Sequence, residues 1–343
     1  MEALIHVFLL LFLLLTALTI IALKDLFAIA MLSGIYGLLS ASLFVVLDAV
    51  DVAFTEAAVG AGISTILMLT TLAITGRYEL SRPSIRTRIG LLLVLVIGVL
   101  LIYGTLGMPY FGMPENPANG HVAAYYLENT EQQIGIPNYV TAVLASYRGF
   151  DTFGELVVVF TAGVAVLALL PHSRDGFVVD DMQPMKHHLI LRITSKLLLP
   201  FILLFALYVQ FHGDFGPGGG FQAGVIFAAA IILYSMLYGL ENAMQVISFP
   251  VIRFCAALGV LLYGSVGIVS MLKGGNFLDY SVLLETPVAG QHLGILLIEF
   301  GVGLTVAAVM VCVFFTFTGS VVSPAKSARV VAARDGEKTQ GAP

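Results

Sequence analysis

Charged residues are scarce in this sequence. Only 11% of the 343 residues are Asp, Glu, Lys or Arg, whereas ordinary globular domains carry about a quarter. Hydrophobic residues make up 59% of the chain, and the mean hydropathy is +0.98. This composition argues against a soluble fold and indicates an integral membrane protein.

Basic clusters and paired cysteines are also missing. The 16 Lys and Arg and 21 Asp and Glu leave a formal net charge of −5 without a basic run, which argues against nucleic-acid binding. Cys255 and Cys312 lie in apolar runs without zinc-site spacing, so both are expected to be buried thiols. Without a Ser/His/Asp set, a CxxC pair or a nucleotide-binding glycine loop, the sequence predicts neither an enzyme nor a cofactor.

Nine apolar stretches are each long enough to cross a bilayer as a helix. They predict an all-α polytopic membrane protein. Most Lys and Arg of the loops then fall on one side, which places the N-terminus outside and the C-terminus in the cytoplasm. The predicted spans are residues 4–23, 26–47, 52–75, 89–106, 151–170, 188–210, 218–238, 251–271 and 291–317.

The spans fall into three predicted modules. Residues 1–85 carry three spans, residues 86–185 carry two with a long external loop, and residues 186–322 carry four. In the external loop, the alternation of apolar and polar residues over 138–148 predicts a short interfacial helix. Residues 323–343, rich in Ala, Gly and charge, are expected to form a disordered cytoplasmic tail.

Few ionisable side chains lie within the predicted spans. Glu56, Glu155 and Glu299 lie in the third, fifth and ninth spans, in a similar layer below the outer surface. Each such group costs roughly 2.5–3.5 kcal/mol to insert, so each is a candidate functional residue. A carboxylate in a low dielectric can exchange a proton or hold a dehydrated Na⁺, which is the chemistry of a cation path. The alternative is that these groups hydrogen-bond between helices as structural locks.

Three other charged residues support this candidate path. Asp51 precedes Glu56 on the third span, and Asp151 shares a helix face with Glu155 through i, i+4 spacing. Lys196 is the only basic residue well inside a span. It is expected either to pair with a carboxylate or to extend its amine to the cytoplasmic interface.

A glycine-rich turn, FHGDFGPGGGFQAG over residues 211–224, joins the sixth and seventh spans. It contains Pro217, Gly218, Gly219 and Gly220, which together cannot lie inside an ordinary helix. His212 and Asp214 are a candidate proton relay there, and the backbone amides before the next helix are a candidate site for an anion or carboxylate. The alternative is a tight turn that lets two helices pack closely.

These residues carry a family resemblance. FHGDFGPGGGFQAGVI closely resembles the HGHxxPGGGFQGG signature of the B subunit of Mrp-type (multiple resistance and pH) sodium/proton antiporters, with Asp214 in place of the second histidine. DVAFTEAAVGAGISTILML is similar to the domain at the C-terminal end of their large A subunit, and to the counterpart of that domain in membrane-bound hydrogenases. VLASYRGFDTFGELVVVFTAGVAVLALLP is similar to the module that follows that domain.

The resemblance implies an accessory subunit of a Na⁺/proton antiporter in a prokaryotic cytoplasmic membrane. It would contribute to a lateral ion pathway and to assembly, with other Mrp subunits, Na⁺, H⁺ and membrane lipid as partners. A metal other than transient Na⁺ is not expected. Two other interpretations stay open: an ion-translocating subunit of a respiratory complex related to complex I, such as a membrane-bound hydrogenase, and a scaffold without an ion path.

Overall fold

The computed structural model of the chain describes residues 2–79, 85–110, 112–170 and 188–319. Within these ranges the chain forms helices and turns without a named β-strand. Within the described residues, nine helical spans are long and apolar enough to cross a membrane, which confirms the predicted all-α, nine-span architecture. The largest shift at the start of a span is at the last one, which begins at Pro287 rather than at residue 291.

The helices follow one another in chain order as α1 (Glu2–Ala22), α2 (Leu26–Val46), α3 (Val50–Glu56), α4 (Ser64–Thr75), α5 (Ile85–Thr105), α6 (Ala124–Gln133), α7 (Tyr139–Thr141), α8 (Gly149–Leu169), α9 (Leu189–His212), α10 (Gly220–Tyr238), α11 (Leu240–Val246), α12 (Phe249–Leu272) and α13 (Pro287–Gly319). Segments of π-helix cover Ala57–Ile63, Ala118–Ala123 and Ala142–Tyr147, and a 3₁₀ turn covers Tyr280–Val282.

α13 is the central helix of the bundle. It packs against α8, α10 and α12. In its most apolar stretch 61% of the residues are buried, and in that of α10 56% are buried. Cys312 is buried in this core, whereas Cys255, predicted to be buried, is only partly so. In contrast, none of the residues in the most apolar stretch of α5 is buried, and only 6% of those in the corresponding stretch of α1 are buried. These two helices therefore present apolar side chains outward around most of their circumference.

α10 approaches α13 more closely than helices with larger side chains could. A Cβ atom on Gly224 would lie 2.7 Å from the carbonyl oxygen of Gly303, and one on Gly220 would overlap the backbone of Glu299. Glycine at such positions lets two backbones meet, and van der Waals packing then holds the helices together within the membrane.

The third span, predicted over residues 52–75, is observed over Val50–Leu72 and contains a π-helical segment. The π-helical segment Ala57–Ile63 begins immediately after Glu56 and separates α3 from α4. This segment packs against α2, where a Cβ on Gly37 would lie 2.8 Å from the amide nitrogen of Ala61. π-Helical turns are rare and occur frequently at functional sites.

The helix predicted over residues 138–148 is observed as α7 and the π-helical segment Ala142–Tyr147. It packs on α8 and α13, and Tyr280 donates a hydrogen bond to the carbonyl oxygen of Ala145. The segment over residues 138–148 is thereby docked onto the bundle. The predicted orientation of the termini stays a prediction, because several of its basic residues, including Arg174 and Lys186, and the predicted tail lie outside the described residues.

Gly224→Ala is expected to destabilise the protein by about 1–3 kcal/mol, the usual cost of overpacking, because its methyl group would meet the backbone of α13. Gly98→Ala on α5 is the matched control, since no atom lies within 4 Å of a Cβ built there. The midpoint of thermal unfolding of the detergent-solubilised complex measures both. Equal midpoints for the two variants would contradict the close contact.

Candidate functional site

A cavity of about 220 Å³ lies where α3, the N-terminus of α10 and the helix over residues 139–147 meet α8 and α13. Three of the predicted carboxylates line it: Asp51, Glu155 and Glu299. The side chains of Thr55 and Gln222 add neutral polar groups to the same wall. Carboxylates from three separate spans therefore share one cavity.

Asp51 and its helix are attached to the glycine-rich turn. The amide of Gly218 donates to Asp51 Oδ1 at 3.2 Å, so a backbone amide of the turn does hold a carboxylate, as the sequence suggested. One turn further along α3, Gln222 Nε2 donates to Thr55 Oγ1 at 2.8 Å. These bonds join the first module to the start of α10.

The glycine-rich turn is held by the start of the segment over residues 138–148. Asn138 Nδ2 donates to the carbonyl oxygens of Gly213 and Gly216, each at 3.0 Å. Its backbone amide donates to the carbonyl of Asp214 at 3.1 Å, and Thr141 Oγ1 donates to Gly213 at 2.7 Å. Three carbonyl groups of the turn thus accept hydrogen bonds from this segment. The sequence alone did not predict a contact between the segment and the turn.

Glu299 lies directly against this turn. A Cβ on Gly219 would lie 3.1 Å from Glu299 Oε1, and a Cβ on Gly213 would lie 3.2 Å from Oε2. Gly219 also has φ +115°, a conformation that side chains other than that of glycine rarely allow. The glycines therefore shape the space that the carboxylate occupies.

The two polar side chains of the turn do not share their contacts. The His212 ring stacks on Tyr208, with centroids 4.8 Å apart, whereas Asp214 Oδ2 lies 3.9 Å from Nδ1 of His292 on α13. Burial raises the pKa of the Asp214 carboxyl above its ordinary value, and the positive charge of protonated His292 partly offsets this. Asp214 therefore contacts His292 rather than His212, and the relay through His212 and Asp214 stays a prediction.

His292 was not a candidate from the sequence, because no metal-ligand spacing marks it. The signal that could have found it is its position seven residues before Glu299, two helical turns earlier and on the same face of α13.

Three other candidates lie elsewhere. The Glu56 carboxylate lies over Gly60 of its own helix, outside the cavity lining. Asp151 forms an exposed ion pair with Arg148 at 2.5 Å. Lys196 is exposed and pairs with no carboxylate in the described parts of the chain.

A preformed metal centre is not part of this site. Within the residues that the structure describes, no group of three or more His, Cys, Asp or Glu side chains could hold a metal ion. The carboxylates are instead distributed around the cavity wall.

Comparison with known families gives three matches along the chain. The family described as "Domain related to MnhB subunit of Na+/H+ antiporter" matches residues 190–312. The MbhD family of MBH subunits matches residues 11–77, and the MbhE family of MBH subunits matches residues 85–176.

Two curated relatives differ greatly in length. The probable K(+)/H(+) antiporter A/B subunit of Rhizobium meliloti (strain 1021) is 27% identical over 76% of this chain, which covers only 28% of that relative. The putative antiporter subunit mnhB2 of Staphylococcus aureus (strain Newman) is 33% identical over 39% of this chain, which covers 96% of it.

Two solved structures are similar over most of the chain. One is a chain of the Mrp complex from Dietzia sp. DQ12-45-1b, with a TM-score of 0.74 and 27% sequence identity. The similarity covers 92% of the present chain and 35% of the Dietzia chain. The membrane-bound sulfane sulfur reductase, an archaeal respiratory membrane complex, has a chain with a TM-score of 0.53 and 28% identity, covering 68% of this chain and 98% of its own length.

Asn138→Ser is expected to accelerate amide hydrogen exchange in the turn over residues 213–220 by about tenfold or more. Serine still caps α7 but cannot reach both carbonyl groups, and each lost hydrogen bond is worth about 1 kcal/mol. Hydrogen-exchange mass spectrometry of the assembled complex measures the rate. Asn129→Ser is the control, since the Asn129 amide bonds only to Tyr125 on its own helix; similar rates for both variants would contradict the role of Asn138.

Proposed function

Because the chain belongs to the family of domains related to the MnhB subunit of Na⁺/H⁺ antiporters, we propose that it is an accessory subunit of a multi-subunit monovalent cation/proton antiporter. It is a multi-pass protein of the plasma membrane. The observation that carries the proposal is the cavity lined by Asp51, Glu155 and Glu299. The chain takes part in transport and is not an enzyme.

Oxygen groups on the cavity wall provide the chemistry for a cation in transit. A cation that leaves water needs oxygen ligands in place of its hydration shell, and carboxylates supply both oxygen and charge. The Asp51 carboxylate accepts a hydrogen bond from the turn and Glu299 lies against the turn, whereas Glu155 is exposed at the cavity wall. We infer that Glu155 marks the lateral side from which ions enter or leave.

Glu56 is the next carboxylate along α3. It lies five residues after Asp51, which is about 7.5 Å further along the helix axis. The π-helical segment that follows it alters the backbone hydrogen bonding at this depth. Glu56 is therefore proposed as a second station, beyond the cavity, on the same path.

The outer helices are proposed to serve assembly. α1 and α5 expose nearly all of their apolar side chains and suit contact with lipid or with other subunits. The three matched families lie in the order of the three modules, residues 1–85, 86–185 and 186–322, which supports a fused arrangement of subunits. In this arrangement the chain ties neighbouring subunits together and contributes to their ion pathway.

The transported cation is proposed to be Na⁺, the ion in the description of the matched family. The Rhizobium meliloti relative is named for K⁺ instead. Because oxygen ligands suit both ions, flux has to be measured with each cation separately.

A second candidate function has its own support. The matches to the MbhD and MbhE families and the 98% coverage of the sulfane sulfur reductase chain favour an ion-translocating subunit of a respiratory complex. Cation-dependent proton flux without an electron donor favours the antiporter, whereas flux that requires a donor favours the respiratory complex.

Glu299→Gln in the full complex is expected to lower Na⁺-dependent proton flux in membrane vesicles by at least about tenfold. The glutamine amide lacks the negative charge that offsets the cost of removing water from the cation. A rise of about 1.4 kcal/mol in the barrier to transport already lowers the rate tenfold. Glu285→Gln is the control, because Glu285 is exposed before α13 and outside both cavities that Glu299 lines. A native gel checks assembly; normal flux in an assembled Glu299→Gln complex would instead favour a scaffold without an ion path.

A further inference from the structure

A second and smaller cavity, of about 30 Å³, lies beside Glu299. Gln210, Phe211, Asp214, Leu296 and Glu299 line it. Since Glu299 also lines the larger cavity, its carboxyl group stands between the two. The larger cavity holds the other carboxylates of the proposed cation path, whereas the smaller one leads to Asp214.

The smaller cavity has the size and the polar groups that a water molecule needs. A buried water requires at least about 10–15 Å³ and two to four polar partners. Gln210, Asp214 and Glu299 supply three polar side chains around this space. The space between the two acidic residues is therefore large enough for one water molecule.

Exposure rises from this cavity toward the surface. The side chain of Asp214 is 22% exposed, that of its neighbour His292 is 42% exposed, and 3.9 Å separates Asp214 Oδ2 from His292 Nδ1. A line of groups that can each bind and release a proton therefore runs from solvent to Glu299 without passing through the larger cavity.

We propose that His292, Asp214 and a water in the smaller cavity form a proton-exchange branch that serves Glu299, separate from the cation cavity. The inference rests on the proposed function, because it presumes that Glu299 exchanges a proton for a cation. The branch names the residues through which that proton reaches the aqueous phase.

One proton moves through the branch in each exchange. When a cation enters the larger cavity, protonated Glu299 gives its proton through the water to the Asp214 carboxylate, and Glu299 becomes the anion. Protonated Asp214 then transfers the proton to neutral His292, and the imidazolium releases it to bulk water. The reverse sequence reloads Glu299 when the cation leaves.

The surroundings of Asp214 favour the protonated form of its carboxyl group. Burial raises the pKa of the Asp214 carboxyl, so it stays protonated to a higher pH than an exposed aspartate and comes closer to the range of histidine. Asp214 faces two titratable residues of α13, His292 and Glu299. The charge of Asp51, on α3, acts in turn on Glu299. Asn138 and Thr141, which lie nearby in the segment over residues 138–148, are neutral.

Asp214→Asn in the full complex is expected to lower proton flux by about tenfold. A positioned acid–base group typically contributes ~100-fold or more; the expected effect is smaller because water can partly replace the Asp214 carboxyl group. His292→Gln should have a similar effect, the double variant should be no worse than either single one, and Asp214→Glu should restore part of the flux. The cation concentration for half-maximal flux should stay unchanged, since the larger cavity is intact.

The assay records flux against pH and Na⁺ concentration in vesicles with Glu285→Gln as control. The Asp214 side chain is not part of the turn's backbone bonds, and His292→Gln provides an independent test if Asp214→Asn fails to assemble. If Glu299→Gln abolishes flux but Asp214→Asn and His292→Gln leave flux and pH profile unchanged, the branch is wrong and the proposed function stands. A raised half-maximal Na⁺ concentration would make Asp214 a cation ligand and also overturn the branch; normal flux in Glu299→Gln would overturn the proposed function itself.

Discussion

The contact of α10 with α13 through glycine is the constraint on which the site depends. Gly220 lies against the backbone of Glu299, and Gly224 against that of Gly303. A larger side chain at either position would move α10 away from α13. The turn before α10 would move with it, and Glu299 would lose the enclosure that separates its carboxyl group from lipid, where an ionised group is costly.

Hydrogen bonds among polar groups hold together the elements around the carboxylates. The Gly218 amide donates to Asp51, and Gln222 bonds to Thr55, so α3 is joined to the turn by hydrogen bonds. The turn is itself held by Asn138. The segment over residues 138–148 is thus part of the site's support, and elements from all three proposed modules meet at one cavity.

Chains similar to this one occur in an Mrp complex and in an archaeal respiratory membrane complex. The carboxylates that line the larger cavity come from three separate spans, so the shape of this cavity depends on how the three modules pack against one another. The chain is similar to part of a longer protein in one relative and to a short, separate protein in another.

Local patterns in the sequence were enough to predict the nine spans, the glutamates that lie within them and the irregular turn. Span length follows from bilayer thickness, and Pro217 with its glycines excludes regular helix. The partner of Asp214, the docking of Asn138 and the position of Glu56 outside the cavity were decided only by tertiary structure. Hydropathy and helical period describe one segment at a time, whereas the rotation of each helix about its axis depends on which neighbours its small residues allow it to approach.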